Sequence, residues 1–441
     1  MIFLTTISFL IVVILFSIAV LSYCAKQKLF GLGSIFCIIL IQSVIRPIFF
    51  ILGIDMPHPI SIFDGWQTGL LLNGIAYVML WMICITLGYS ISAKISPVVG
   101  SLFPQRPKSY NNSILLVLAI LISFLGCAIT CILMLGEGSI AKFLHKVKVE
   151  KAYAGFYWMR NITTHANVLL LLFICGYCSR HDESRNPKRL LLIVLFIIFV
   201  FNCSANYFWG NRYNLALILI VAGFSYHYCI DRLNIIKIFF IVLICSITLW
   251  ALKIYRYELI SEATSVEFTS NQSELTKLSL SFHFAQFDAF LLVLRDAGHS
   301  IDFRDGKDFG NGLISWIPRT FLPDRQSFHV GHWFRQIYEP GRVNGWPVTA
   351  AGSWYINFGL MGIVLGGILS GIIARGLDFS YKNRNFNSWD IVIGMSIAWY
   401  VFDAGLNTGT PQKYVLYVIP FFILRIFLNT FAFSTNKRCY S

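Results

Sequence analysis

The chain has 441 residues, 56% of them apolar, 16% aromatic and only 13% charged, with a formal net charge of +14 and a mean hydropathy of +0.67. Soluble domains carry about 25% charged residues, so an ordinary water-soluble enzyme or binding module is excluded. A single-pass anchor is excluded as well, because apolar runs of roughly 16 to 24 residues, close to the ~20 a spanning helix needs, recur from end to end.

In chain order the hydropathy predicts eleven spans, at about 2–24, 29–52, 70–92, 113–135, 163–179, 190–205, 213–230, 234–253, 354–375, 388–404 and 413–432. The first run has no basic residues before it and no small-residue cleavage site after it, so it reads as a retained helix rather than a secretory signal. Basic residues follow the odd-numbered spans: Lys26 and Lys28, then Lys94, Arg106 and Lys108, then Arg180, Arg185, Lys188 and Arg189. Arg232 and Lys237, then Arg375, Lys382 and Arg384, then Lys437 and Arg438 complete the pattern. The positive-inside rule makes these segments cytoplasmic, with the N-terminus outside and the C-terminus inside. The segment 53–69, which has Asp55 and Asp64 but no Lys or Arg, then falls outside. The expected fold is an all-α polytopic membrane protein: a bundle over 1–253, a long outer loop over 254–353, and a second bundle over 354–441 with a short cytoplasmic tail.

Two outer segments concentrate the reactive side chains. The first, 136–162, carries Lys142, Lys146, Lys148, Lys151 and Arg160. The second, 254–353, holds eleven of the twenty-one carboxylates and nine Lys or Arg, and long loops cross a membrane regardless of charge. Its stretch 278–294 is apolar but interrupted by His283, Gln286 and Asp288, which predicts a helix lying on, or dipping into, the outer side of the bundle. In Trp316-Ile317-Pro318-Arg319-Thr320-Phe321-Leu322-Pro323-Asp324-Arg325, two prolines bracket a turn and bring two arginines to it. His329, His332, Arg335 and Arg342 follow, interleaved with Trp333, Tyr338 and Trp346. Arginine in preference to lysine favours bidentate recognition of phosphate or carboxylate. Arg212, in a very short outer turn, and Arg256 with Glu258, directly after the eighth span, share that face. An arginine at membrane depth costs about 2.5–3.5 kcal/mol on insertion scales, so it is usually kept for a partner or ligand. Arg46, Lys253 and Arg425 read instead as side chains snorkelling to the headgroups.

Five short segments in order carry a resemblance. Gly210-Asn211-Arg212-Tyr213-Asn214 opens one helix, and Ala251-Leu252-Lys253-Ile254-Tyr255-Arg256-Tyr257 closes the next. The acid-bearing stretch 284–290, the turn from Ile317-Pro318-Arg319 to Pro323-Asp324-Arg325, and AGSWYINFGLMG at 351–362 follow. Over about 205–380 the chain resembles the Wzy-type oligosaccharide repeat-unit polymerases of O-antigen and enterobacterial common antigen. The N-terminal half is similar in hydropathy only. The resemblance implies a GT-C-like architecture in the inner membrane with a periplasmic loop over the active site. It implies transfer of a growing glycan from undecaprenyl pyrophosphate onto a lipid-linked repeat unit, and a chain-length regulator in the same membrane as a further partner.

The residues suit that chemistry on their own terms. A pyrophosphate leaving group gains charge as its glycosidic bond breaks, so preorganised guanidinium groups stabilise the transition state more than the ground state. Arg212, Arg256, Arg319 and Arg325 form the expected clamp. The acceptor hydroxyl needs a base, for which Asp288 comes first and His332 and Glu258 follow; the structural alternative pairs Asp288 with Arg295. Trp316, Trp333 and Trp346 either stack on sugar rings or anchor the loop at the interface. The sequence has no DxD, and His329 and His332 lack carboxylates at useful spacing, so neither a metal nor another cofactor is expected. Ten of the eleven cysteines lie in or at the ends of spans and Cys439 in the tail, which supports no disulfide framework. Nothing resembles a nucleic-acid module, and the positive charge suits anionic lipid. Among rivals, a flippase needs symmetric halves, and a secondary transporter needs acids at midplane, whereas carboxylates look almost absent from the spans apart from Asp403. The nearest rival is an O-antigen ligase, which hands the glycan to lipid A core.

Overall fold

The computed structural model describes the chain except Met1, 52–67, 109–110, 151–152, 154–156, 180–188, 210–211, 235–236, 238–244, 246, 249–250, 253, 256–285, 318–320, 323–329, 341–344, 383–386 and 438–441. The described residues are helical, with a single isolated bridge between Ala297 and Ile301 and no strand. Eight helices are long and apolar enough to cross a bilayer, and two shorter apolar ones, Asn214–Cys229 and Ser388–Val401, coincide with expected spans seven and ten. This is a multi-pass membrane protein. The eighth expected span, 234–253, lies largely outside the described residues.

The chain divides into two units. Unit 1 comprises Met1–Phe103, Asn271–Asn383 and Val401–Val415. It contains α1 (Ile2–Gln27), α2 (Phe30–Ile51), α3 (Thr68–Ile91) and the short α4 (Ser96–Gly100). From the long loop come α10 (Gln286–Asp296), α11 (Lys307–Ile314) and α12 (Val330–Tyr338), followed by α13 (Ala350–Lys382). The turn between α1 and α2 closes with Lys28 in the left-handed region, φ 54°, and Leu29 N donating to Cys24 O at 2.9 Å. That pattern ends a helix by satisfying its last carbonyls. The first amides of α2 are capped from far away: Gly31 N and Leu32 N donate to Asp378 at 2.7 and 3.2 Å.

Helices α3 and α13 approach backbone to backbone. A Cβ on Gly88 would stand 2.1 Å from Ile368 O, and one on Gly371 2.1 Å from Ile85 O, so only glycine admits this contact. At 33 residues α13 would be about 50 Å long if straight. It is broken at Gly359, φ 59° and ψ −148°, which separates a short outer piece from the spanning piece. The two ends of unit 1 differ in charge. Lys26, Lys28, Lys94, Arg375 and Lys382 stand at one end, while the C-terminus of α2, the N-termini of α3 and α13, and α10–α12 share the other.

Unit 2 comprises Pro104–Ser270, Arg384–Tyr400 and Leu416–Ser441. Its helices are α5 (Asn112–Gly136), α6 (Ile140–His145), α7 (Tyr157–Cys178), α8 (Arg189–Phe208) and α9 (Arg212–Cys229), with α14 (Ser388–Val401) and α16 (Ile419–Lys437). Between α14 and α16 the chain runs through unit 1 over Val401–Val415, which holds most of α15 (Thr410–Tyr417). Asn111 caps α5 by accepting from Ser113 N at 2.8 Å. Buried amides tie the unit together: Asn202 Nδ2 donates to Ser123 Oγ, Thr164 Oγ1 to Asn206 Oδ1, and Asn214 Nδ2 to Asn161 Oδ1.

Candidate functional site

The site is built around the long-loop end of unit 1. Helix α10 carries apolar residues all round, so it can only be buried, and every residue from Phe287 to Leu294 is less than 9% exposed. It packs on α2, α3 and α13. A Cβ at Gly74 would lie 2.3 Å from Leu291 Cδ2, so the loop helix is seated inside the bundle end and not merely laid across it.

Asp288, in the first turn of α10, is 0% exposed and faces Arg46 of α2, which is 1% exposed. Arg46 Nε donates to Asp288 Oδ1 at 3.2 Å and to Oδ2 at 3.0 Å, and Nη2 stands 2.9 Å from Oδ2. The pairing expected with Arg295 is not formed; Arg295 instead donates to its neighbour Asp296 at 2.7 and 2.9 Å. Arg46 is likewise no snorkelling side chain. The reason is depth: it lies a full turn inside the C-terminus of α2, where a buried cation requires a counter-ion.

Around this pin three further ion pairs form among the described residues of the loop. The Asp296 carboxylate also accepts from the Tyr338 hydroxyl. Burial and that bond push the Tyr338 phenol up, and the Asp296 carboxylate pushes the Arg295 guanidinium up. Arg304 holds Asp308 through two bonds of 2.7 and 2.8 Å, lies over the Trp333 ring at 4.1 Å, and shares Asp308 with Asn357 of α13 at 3.2 Å. Arg335 donates to Glu339 at 2.7 Å and stands 5.6 Å from the Trp346 centroid. Of the three tryptophans expected at sugars, Trp346 is buried at 3% exposure against Phe334 and Tyr338. It works here as a core anchor. Trp333 is half-buried under Arg304, and Trp316 is open, with Leu313 and Phe321 also exposed nearby in sequence.

A second feature was not expected. Residues 402–409 interrupt the helices at the depth of Trp81, which stands near the middle of α3. Irregular backbone at that depth is tolerated only where protein or a water-filled cavity surrounds it. Trp81 Nε1 donates to Ala404 O at 2.9 Å, Trp354 Nε1 to Leu406 O at 2.8 Å, and Leu406 N to Ser370 Oγ at 2.9 Å. At its start Asp403 accepts from Gln42 Nε2 at 3.1 Å and stands 3.9 Å from Lys413 Nζ, both charged groups about a quarter exposed (25% and 24%). Gln42 and Arg46 are one turn apart on α2, so one helix face carries both polar contacts. The turn-forming run Gly405, Asn407, Gly409 and Pro411 was the signal for this break. Carboxylates are also less scarce inside the helices than expected, since Asp378 and Asp390 are buried at 4% and 0% exposure.

Arg212 opens α9 and His332 lies in α12, and their side chains fall outside the described set, as do Glu258, Arg256, Arg319 and Arg325 entirely. The chain matches no protein-family model, no curated protein and no solved structure.

Proposed function

We propose that the chain is a glycosyltransferase that polymerises undecaprenyl-pyrophosphate-linked oligosaccharide repeat units into an O-antigen-type surface polysaccharide. It works at the periplasmic face of the bacterial inner membrane, in a GT-C-like bundle of about eleven spans, without a metal or other cofactor. The observation that carries this reading is the seating of α10. A hundred-residue segment rich in arginine is seated through α10 on the end of unit 1 opposite the lysines, on the side that charge bias assigns to the periplasm. Of the segments resembling the polymerases, 286–290 and 351–362 belong to that end of unit 1.

In the reaction, the acceptor hydroxyl oxygen bonds to the anomeric carbon of the donor glycan. The bond from that carbon to the pyrophosphate oxygen breaks, undecaprenyl pyrophosphate leaves, and the hydroxyl proton passes to a base. Arg212, Arg256, Arg319 and Arg325 receive the growing phosphate charge. Both Asp288 oxygens face the Arg46 guanidinium and the residue is fully buried, which suits a positioning role and leaves His332 or Glu258 as the base. Trp316 remains the open ring for a sugar. The broken-helix carbonyls of Ala404 and Leu406 are occupied by indoles, which argues against a transporter's cation site there.

Deletion of the gene tests the reading: loss of a polymerase leaves lipid A core carrying one repeat, whereas loss of a ligase leaves none. Within the enzyme, Arg319→Ala and Arg325→Ala should each cost about 2.7–4 kcal/mol, roughly a hundred- to a thousandfold in rate, by analogy with losing one oxyanion donor. Lysine at either position should rescue poorly, because a point charge lacks the planar fork. Full activity in both alanine variants would move the leaving-group site to Arg212 and Arg256. Continued polymerisation in excess EDTA is expected, and abolition reversed by magnesium or manganese would replace the arginine clamp with a metal mechanism.

A further inference from the structure

The lysine-bearing end of unit 1 holds a groove of about 420 Å³ lined by Ala19, Val20 and Tyr23 of α1, Leu32 of α2, Thr86, Tyr89 and Ser90 of α3, and Arg375 of α13. Its residues stand within two turns of helix ends marked by Lys26, Lys94 and Lys382, the level at which a bilayer places its headgroups. The wall is fixed from behind. Asp378 is spent on the amides of Gly31 and Leu32 and on the Tyr89 hydroxyl, which donates to it at 3.1 Å. The guanidinium of Arg375 lies over the Tyr89 ring, 4.9 Å from its centroid. Among the described residues Arg375 has no carboxylate in ion-pair contact, so its charge, offset only by Asp378 behind the ring, is turned to the groove.

The donors available to a ligand are few and specific. Thr86 and Ser90 donate their hydroxyls to their own helix, to Ile83 O and Thr86 O at 2.8 Å each. That leaves the Arg375 fork and the Tyr23 hydroxyl, whose residue is 53% exposed. The outward continuation of the groove is apolar. Leu15 and Val12 lie one and two turns below Ala19 on the same face of α1, Ile83 lies one turn below Thr86, and all three are exposed. A cationic pocket at headgroup level above an exposed apolar strip has the shape of a phospholipid.

We propose that this groove is a binding site for a bilayer phospholipid, its phosphate held by Arg375 and Tyr23 and its acyl chains laid along Leu15, Val12 and Ile83. Arginine suits the task because its planar fork engages two phosphate oxygens at once. The site is at the end of unit 1 remote from the loop, so it stands independently of the transferase reading.

The test uses the full-length protein in detergent, titrated with phosphatidylglycerol and read by native mass spectrometry, with diacylglycerol and inorganic phosphate in parallel. Wild type should retain phosphatidylglycerol, retain diacylglycerol far less, and be unaffected by inorganic phosphate at the same concentration. Arg375→Ala should weaken retention about tenfold, the loss of one charge-assisted contact. Arg375→Lys and Tyr23→Phe should weaken it less, and Tyr23→Phe leaves the stack on Tyr89 untouched, so it decides the matter if Arg375→Ala misfolds. Unchanged retention in both Tyr23→Phe and the folded Arg375 variants overturns the proposal. Equal retention of diacylglycerol overturns phosphate recognition, and displacement by inorganic phosphate marks a free-anion site instead.

Discussion

The loop-bearing end of unit 1 and the interior of unit 2 both bury polar side chains, by opposite means. In unit 1 the groups are ions. Arg295 with Asp296, Arg304 with Asp308 and Arg335 with Glu339 are local pairs, one or four residues apart, and Arg46 with Asp288 joins positions 242 apart in the sequence. In unit 2, where Asp390 is also buried, the network that joins the helices is neutral. Asn161, Asn214 and Tyr417 close a triangle of hydrogen bonds at 2.8–3.2 Å, continued by Thr164, Asn206, Asn202 and Ser123. An ion in an apolar interior tolerates one partner and punishes its loss, so it fixes where a helix sits. An amide finds substitute partners among neighbouring helices, so a network of them holds a bundle together without dictating one register.

The largest effect that can break this contrast is at the long-range pair. Arg46→Ala or Asp288→Ala alone leaves a buried charge uncompensated and should destabilise unit 1 by about 3–5 kcal/mol in denaturant unfolding. Replacing both, as Arg46→Met with Asp288→Leu, should recover most of that loss, since apolar residues of similar volume often match a buried pair. The double variant also separates two roles for Asp288. If it is stable and polymerises, Asp288 positions α10; if it is stable and inactive, and Arg46→Met with Asp288→Asn is stable and inactive as well, the carboxylate itself acts on the substrate. A single Arg46→Ala as stable as wild type would mean that α10 is seated by its apolar contacts with Gly74 and Gly352, and the ionic side of the contrast would fall.

The long-range pair also marks the limit of what the sequence conveys. Hydropathy predicts the helices α1, α2, α3, α5 and α8 within about three residues at each end, and α7, α13 and α16 within about seven, because a spanning run needs no partner to be recognised. The stretch around Asp288 stands out as a helix bound to the bundle for the same reason. Its partner does not, since periodicity reports only positions on the same face of one helix, which makes Arg295, two turns on, the visible counter-ion and hides Arg46. Trp346 misleads in a similar way: flanked by Gly345 and Pro347 in a polar loop it reads as open, but Gly331 lets its backbone approach so closely that a Cβ there would stand 1.7 Å from Trp346 O. The break at 402–409 was written in its glycines and proline. Its depth was not, because that depends on Trp81 and Trp354 reaching its carbonyls from other helices.

The neutral side is probed with smaller steps. A hydrogen bond between helices in a bilayer contributes about 0.6 kcal/mol on average and about 1.7 kcal/mol at most. Asn214→Ala, which removes both donors to Asn161 and Tyr417, should therefore fall in that range, with Tyr417→Phe similar. A double-mutant cycle on the two should show coupling, since they share Asn161. A cost in the range predicted for Arg46→Ala would show that the amides specify unit 2 as strictly as ions specify the cap.

The smallest effect lies at an ion pair of unit 2, at the end of α5, and it sharpens the comparison because this pair opens to solvent through Lys146, 42% exposed against 13% for Glu137. Glu137 accepts from Lys146 at 2.6 Å and from the Tyr153 hydroxyl, which ties α6 and the π-helical turn Lys146–Glu150 to α5. Those two bonds, from Lys146 first, hold the Glu137 carboxyl below its ordinary value of 4.5, while Glu137 pushes the Lys146 ammonium above 10.5 and the Tyr153 phenol up to about 12. The signs fix a window. A lowered carboxyl contributes stability that is full above pH 4.5 and is lost as pH falls through the folded value; a raised phenol contributes stability that is full below pH 10 and is lost between 10 and about 12. Backbone hydrogen exchange over 140–150, corrected for its intrinsic pH dependence, should thus be slowest between pH 4.5 and 10 and accelerate on both sides. Glu137→Gln should abolish the acid limb and leave exchange in the Asn161 triangle unchanged, because a solvated pair holds only the element it touches. If protection of α6 is flat from pH 3 to 7 in the wild type, the pair forms no part of what orders that segment, which is then held by Phe143 and Tyr153 packing against Trp209 at the end of α8.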